Sequence, residues 1–95
     1  MELIEASERG DIQGVIRLLE QGVDVNTKNE DGLTSLYCAS YEGYLEITDI
    51  LLKAGANIDV QDNLGNTPLH VASLCERDEI IKLLFKSGAN TEINK

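Results

Sequence analysis

The sequence predicts an all-α protein, a solenoid of stacked helix-turn-helix units joined by protruding β-hairpin loops. Three observations predict this fold. The 95 residues contain one motif written three times, with a period of 33 residues. Each copy contains apolar stretches with helical spacing, bounded by capping residues and glycines. Between the copies, residues 29–32 and 62–65 are four-residue turn sequences that end in glycine.

The repeat keeps its register along the chain without an insertion. The aligned series are Leu3, Leu36 and Leu69; Ala6, Ala39 and Ala72; Leu18, Leu51 and Leu84; and Gly22, Gly55 and Gly88. We therefore expect a single domain over residues 1–95, with units at about 1–28, 29–61 and 62–95. Because each helix pair is amphipathic, its apolar face is buried only when neighbouring units stack.

The three units differ in the capping residues that precede their first helix, helix A. In the third unit Thr67 can cap free backbone N–H groups, and Pro68 follows at the first helical position, where its missing donor costs nothing. In the second unit Thr34 keeps the cap, but Ser35 replaces the proline. The first unit lacks this start and is expected to begin directly in helix A.

Glycines mark the ends of the helices. Gly10 and Gly43 are expected to end helix A, whereas the third unit has Glu76 at this position and should have a strained or rearranged turn. Residues 46–53 have the apolar spacing of a second helix, helix B, and Gly55 is a typical left-handed C-cap for it.

The last helix B, residues 80–85, is as apolar as an interior helix, although a terminal unit normally has a polar outer face. Either the chain was cut from a longer array or another surface covers this end. We favour the first alternative, because Asn94 and Lys95 stop where a further turn would begin.

These motifs resemble the ankyrin repeat family, whose units carry a Gly-x-Thr-Pro-Leu-His-x-Ala core and a Gly-Ala-Asp-Val-Asn ending. Residues 65–72 match the first element in full, and residues 22–26 nearly match the second. The resemblance covers essentially the whole chain. It implies a non-catalytic protein-interaction module that binds its partner through the hairpin tips and through a concave groove lined by the A helices.

Carried over by position, the resemblance also implies which residues contact the partner. The hairpin tips are Glu30, Asp31 and Leu33 in the first loop and Asn63, Leu64 and Asn66 in the second; the helix A positions are Ser7, Glu8, Arg9, Tyr41, Glu42, Leu74 and Cys75. We expect Tyr41 beside Leu74, and Leu33 near Leu64 and Asn66. Exposed apolar and aromatic side chains of this kind form binding hot spots. For any single residue, the alternative is a surface position without a role.

Charge and cysteine content restrict the partner and the compartment. Eight basic and 17 acidic residues give a net charge of −9, which disfavours nucleic acids and anionic membranes and favours a protein with a basic or neutral surface. The acidity could equally serve solubility alone. No apolar run is long enough to span a bilayer, and the N-terminus does not resemble a secretory signal. Two cysteines, Cys38 and Cys75, are expected to be free thiols in a cytoplasmic or nuclear protein.

The sequence gives little support to catalysis or to metal or cofactor binding. His70 is the only histidine, and Cys75 lies five positions later, roughly 140° around a helix. Two cysteines and one histidine also fall short of a four-ligand zinc site. The resemblance implies that His70 is structural, bonding the helix cap and the adjoining loops. An interaction module is therefore the leading hypothesis, a structural or self-assembly role through the third unit is the second, and an enzyme is the third.

Overall fold

The computed structural model describes residues 2–90, and within that range it contains six helices and no strand. Three of them are A helices, α1 (Glu2–Arg9), α3 (Ser35–Glu42) and α5 (Pro68–Leu74). Each is followed by a B helix, α2 (Ile12–Glu20), α4 (Leu45–Lys53) or α6 (Asp78–Lys86). The predicted all-α repeat fold is confirmed.

The loops between units are single turns. In the first loop the Gly32 N–H donates to the Asn29 carbonyl at 3.0 Å, and the Asn29 N–H donates to the Leu33 carbonyl at 3.0 Å. The second loop repeats these two bonds with Asp62 in place of Asn29. One flanking bond is too little to form a strand ladder, so the loops have the closure expected of hairpins but no β-strand within residues 2–90.

The predicted helix starts and stops are present. Thr34 and Thr67 are the N-caps of α3 and α5, and their hydroxyls accept from backbone N–H groups at 3.3 and 3.2 Å. Gly10 and Gly43 take left-handed conformations with φ of 74° and 88°. Glu76 takes the same conformation at φ 58°, which is unfavourable for a residue with a Cβ, so the expected strain in the third turn is confirmed.

The core lies between the A and B helices and continues from unit to unit. Neighbouring A helices pack against each other, as do neighbouring B helices. Leu36 and Leu51 lie in a large apolar cluster shared by the first two units, while Ala72 and Leu84 belong to a smaller cluster in the third. The three aligned alanines, Ala6, Ala39 and Ala72, are buried and allow the A helices to approach closely.

A serine follows each of these alanines, and its exposure depends on whether another unit packs against it. Ser7 and Ser40 are fully buried, and their hydroxyls have no hydrogen-bond partner within residues 2–90, whereas Ser73 is exposed. The following unit covers the first two serines, and no unit within residues 2–90 follows the third. The expectation that Ser7 faces a partner was therefore wrong, because the neighbouring unit covers this position.

Polar contacts tie each unit to the next in the same register. The Asn26 side-chain oxygen accepts from the Asn57 N–H at 2.7 Å, and Asp59 accepts from the Asn90 N–H at 2.8 Å. A second kind of contact runs in the opposite direction, because the Arg77 Nε donates to the Tyr41 carbonyl at 3.1 Å. These bonds join consecutive units in a constant register.

The outer face of the last B helix is partly apolar. Phe85 is 54% exposed, as expected for an uncapped end, but Ile81 is half-buried and packs against the Ala72–Leu84 cluster. The apolar face predicted over residues 80–85 is therefore only partly exposed at Ile81. Asn94 and Lys95, on which the argument for a longer array depended, lie outside the described residues.

Candidate partner-binding surface

Three exposed side chains recur at equivalent positions in the last turns of the A helices. They are Glu8 on α1, Tyr41 on α3 and Leu74 on α5, each separated from the next by 33 residues. Tyr41 is 50% exposed and Leu74 is 74% exposed. Because α1 packs on α3 and α3 packs on α5, these three residues follow one another across the A helices. We call them the A-helix row.

A cleft of about 290 Å³ opens beside this row. It lies between α1, α3 and the first loop, and we call it the α1–α3 cleft. Its lining consists of Glu8, Leu33, Tyr37, Cys38, Tyr41 and Glu42. Four of these residues belong to the predicted contact set, and the structure brings them together. Sequence reasoning missed Tyr37 and Cys38.

Tyr37 links the cleft to the second loop. Its hydroxyl donates to an Asp62 carboxylate oxygen at 2.8 Å, across the boundary between units. Burial and the neighbouring Asp62 raise the Tyr37 pKa above its ordinary value of 10.0. Because 37 and 70 are equivalent positions, the role expected of His70 was a signal that could have pointed to Tyr37.

Asp62 organises the second loop around one carboxylate. Its Oδ1 accepts from the Leu64 and Asn66 N–H groups at 2.8 and 2.9 Å. Burial raises the pKa of Asp62, but these bonds and the Tyr37 hydroxyl outweigh burial, so the pKa lies below its ordinary value of 3.8. Asp62 therefore remains ionised and holds the loop against α3 at neutral pH.

The Cys38 thiol lies in the cleft, in contact with one carboxylate. The buried Cys38 Sγ donates to Glu8 Oε2 at 3.8 Å, a weak contact. Burial raises the pKa of Cys38 to about 12, with further contributions from Glu8 and Glu42. The thiol is therefore protonated at neutral pH and is a poor nucleophile. Neither Glu8 nor Glu42 forms an ion pair with any residue in the range 2–90.

The hairpin tips divide into free and engaged side chains. Glu30, Asp31 and Leu64 are exposed, and Leu64 is 79% exposed. The Asn63 side chain donates to the Glu30 carbonyl at 3.4 Å, and the Asn66 side chain donates to Asp62 at 3.4 Å. These two amides have hydrogen-bond partners within the chain and therefore help to position the loops.

The remaining predicted residues lie near the row but do not line the cleft. Arg9 is exposed and lies 3.8 Å from Asp11, in an ion pair between exposed groups that contributes little. Cys75 is half-buried and is the C-cap of α5.

The residue types that commonly bind metal ions are dispersed in the described part of the chain. No three His, Cys, Asp or Glu side chains in residues 2–90 are grouped so that they could hold a metal ion. His70 is half-buried; its backbone N–H donates to Thr67, and its imidazole makes no hydrogen bond in this range. The expected bonds from His70 to adjoining loops are therefore not found there. None of the helices in the same range is long and apolar enough to cross a membrane.

Comparison with known proteins points to one family. A family model described as ankyrin repeats, in three copies, matches residues 3–95. A putative ankyrin repeat protein of Rickettsia felis is 39% identical over 49 residues, which cover 52% of this chain and 78% of that protein. Integrin-linked protein kinase 1 of Arabidopsis thaliana is 41% identical over 39 residues. That match covers 41% of this chain and 8% of the plant protein.

Proposed function

The chain belongs to the ankyrin repeat family, and we propose that it binds another protein through the A-helix row, the α1–α3 cleft and the two hairpin tips. Ankyrin repeats are generally protein-interaction modules and are typically not enzymes. We further propose that this chain is a non-catalytic intracellular protein in the cytoplasm or nucleus, consistent with its two free cysteines.

The A-helix row is the observation that carries this proposal. Tyr41 and Leu74 expose large apolar surfaces at equivalent positions on adjacent helices, where no packing role within residues 2–90 requires them. Side chains of this type dominate the binding energy of protein interfaces. The surrounding carboxylates and the net charge of −9 favour a partner with a basic or neutral surface over nucleic acid or an anionic membrane.

A photo-crosslinking experiment tests the location of the site. A benzophenone amino acid replaces Leu74 in one protein and Leu45 in another, and both are incubated with extract from the native cell. Leu45 is the matched control because it is also an exposed leucine but lies on a B helix. We expect a specific adduct from position 74 and none from position 45. Adducts only from position 45 would place the binding surface on the B helices.

Affinity measurements with the captured partner, once purified, complete the test. Tyr41→Ala and Leu74→Ser should each weaken binding by about 1 to 3 kcal/mol with little change in melting temperature, because both side chains are exposed. His70→Ala should instead alter stability more than binding, since the half-buried ring contributes packing to the third unit. Normal binding by both row variants would contradict the proposal.

A second candidate function is self-assembly through the outer face of the third unit. Ser73 and Phe85 are exposed, whereas Ser40 is buried and Leu52 half-buried at the equivalent positions of the second unit. The face that another unit covers in the middle of the stack is therefore open within residues 2–90. A second copy or a further repeat would bury it.

A further inference from the structure

We propose that the α1–α3 cleft binds an arginine side chain of the partner, with Glu8 and Glu42 as the anionic contacts and Tyr37 and Tyr41 as the aromatic walls. The inference rests on the proposed function, because it names the chemistry that the partner presents to the same surface. The size of the cleft, its charge and its aromatic lining each support it.

The size of the cleft fits one side chain. Its volume of about 290 Å³ lies at or below the lower limit of the roughly 300 to 1,000 Å³ typical of pockets for small molecules and cofactors. It opens between the ends of two helices and a loop, where an extended segment lying across the A-helix row could insert a single residue. Tyr41 belongs to both the row and the cleft, so the two surfaces are continuous.

The charge of the lining selects a cation. Glu8 and Glu42 are the charged residues of the lining, and neither has an ion-pair partner within residues 2–90. Glu8 Oε2 lies 3.8 Å from the Cys38 Sγ inside the cleft, and Glu42 lines the same cleft. Arg77 also approaches the end of α3, but its Nε is bonded to the Tyr41 carbonyl and it does not line the cleft. A cation from a partner would therefore neutralise two charges that have no ion-pair partner among the described residues.

The aromatic walls favour arginine over lysine. The planar guanidinium group can stack on a tyrosine ring while its N–H groups donate to both carboxylates. Lysine presents a compact charge with a larger hydration cost and cannot form this forked contact. Tyr37 is held in place by its bond to Asp62, so one wall is fixed before any ligand binds.

Peptide selection on the intact chain tests the inference even while the natural partner is unidentified. A library of random peptides is selected against the protein, and the strongest binders are synthesised with arginine, with citrulline and with lysine at each arginine position. Citrulline has nearly the same shape as arginine but no charge. We expect arginine-containing binders that lose affinity about tenfold or more with citrulline and severalfold with lysine.

Protein variants locate the arginine. Glu8→Gln combined with Glu42→Gln should reduce the affinity of these peptides about tenfold or more and remove the difference between arginine and citrulline. Glu20→Gln combined with Glu46→Gln is the matched control, because it changes the net charge equally at exposed positions on B helices. The citrulline comparison uses the unchanged protein, so a folding defect in either variant does not affect it.

The outcomes separate the two proposals. Peptides that bind more weakly to Tyr41→Ala but tolerate citrulline, or bind as well with lysine, would overturn the arginine inference and leave the proposed function standing. Peptides whose affinity is unchanged by both Tyr41→Ala and Leu74→Ser would overturn the proposed function itself.

Discussion

Tyr37 and His70 occupy equivalent positions in consecutive units, yet only Tyr37 has a side-chain hydrogen bond in the described part of the chain. The reason is spatial, because Tyr37 faces the loop of the following unit, where an Asp62 carboxylate oxygen accepts the hydrogen bond from its hydroxyl. By the same spacing, the counterpart of Asp62 for His70 is Lys95, which lies outside the described residues. The side chain at this repeat position thus bonds a unit to the next one when the next unit supplies a hydrogen-bond acceptor.

Removing the Tyr37 hydroxyl should reveal the strength of this contact. Tyr37→Phe should lower the free energy of unfolding by about 1 kcal/mol, since it deletes one hydrogen bond to a carboxylate and keeps the ring. Urea denaturation measures the change. Tyr41→Phe is the matched control, because the Tyr41 hydroxyl has no bond within residues 2–90 and its loss should leave stability unchanged. Equal effects of the two variants would contradict the assigned role of the Tyr37–Asp62 bond.

The same bond should make stability depend on acid. Because the folded state lowers the pKa of Asp62 below 3.8, its ionised form stabilises the fold above about pH 4. That contribution is lost as the pH falls through the lowered pKa. Tyr37→Phe removes one of the hydrogen bonds that lower the Asp62 pKa. The difference in stability between the unchanged protein and Tyr37→Phe should therefore be largest near pH 7 and should shrink below about pH 4. A difference that stays constant from neutral pH down to strong acid would contradict this linkage.

Residue-scale prediction from sequence succeeded for local contacts and failed for contacts between units. The Thr34 and Thr67 caps each bind a backbone N–H three residues away, so local sequence was sufficient. The Tyr37–Asp62 bond joins residues 25 positions apart, and Ser7 is buried by the neighbouring unit. Both depend on how neighbouring units are rotated, which a capping motif or a helix period does not specify.

At the scale of the helix-turn-helix element, the third unit carries a local cost that the other two avoid. Glu76 adopts the left-handed conformation that glycine adopts at residues 10 and 43. Glu76→Gly should therefore raise the free energy of unfolding by about 1 kcal/mol, because relief of the strain exceeds the added flexibility of the unfolded chain.

A second substitution isolates the cause. Glu76→Ala removes the same charge but keeps a Cβ, so it should not give the stabilisation seen with glycine. Gly43→Ala is the reverse control and should destabilise, since its φ is 88° and an added Cβ would lie 3.0 Å from the Arg77 guanidinium. Stabilisation of equal size by alanine and glycine at position 76 would indicate a charge effect instead of strain.

Truncation of a buried leucine on helix α4 should carry a large packing penalty. Leu51 is fully buried in the cluster shared by the first two units, so Leu51→Ala should cost about 2 to 5 kcal/mol through lost burial and the cavity left behind. Thermal unfolding by circular dichroism measures this cost. Lys53→Ala, an exposed change on the same helix, is the control and should have a small effect. A Leu51→Ala protein with unchanged stability would mean that α4 does not pack in this register.

At the scale of the whole molecule, the last B helix has an exposed side at Phe85 and a packed side at Ile81. Phe85→Glu should reduce self-association without unfolding the chain, because this exposed ring contributes little to the core. Sedimentation equilibrium over a concentration series measures the effect. Leu45→Glu, at an exposed leucine on α4, should leave association unchanged.

Unlike Phe85→Glu, Ile81→Glu should destabilise the fold. Since Ile81 packs against the Ala72–Leu84 cluster, a charge there should lower stability as well as association. Unfolding by Phe85→Glu would show that its ring is covered within the monomer.

The period predicted the whole-molecule architecture, because a register of 33 residues fixes the number and order of the helices. The α1–α3 cleft was only partly predictable. Glu8, Leu33, Tyr41 and Glu42 followed from their positions in the repeat, but the contribution of Cys38 depends on how far α1 and α3 separate. That separation results from packing and is not specified by any one unit.

The contacts between units also have a consequence for the way such a chain can grow. Asn26 and Asp59 each accept from a backbone N–H of the next unit, and a backbone donor does not depend on which side chain follows. A second copy of residues 29–61, inserted directly after the first, would therefore find matching contacts in the units on both sides. The Tyr44 ring of the second copy would lie against Gly43 of the first copy, as Tyr44 now lies against Gly10. The added segment would bring its own copy of Tyr41, so each gene duplication would lengthen the proposed binding surface by one aromatic residue.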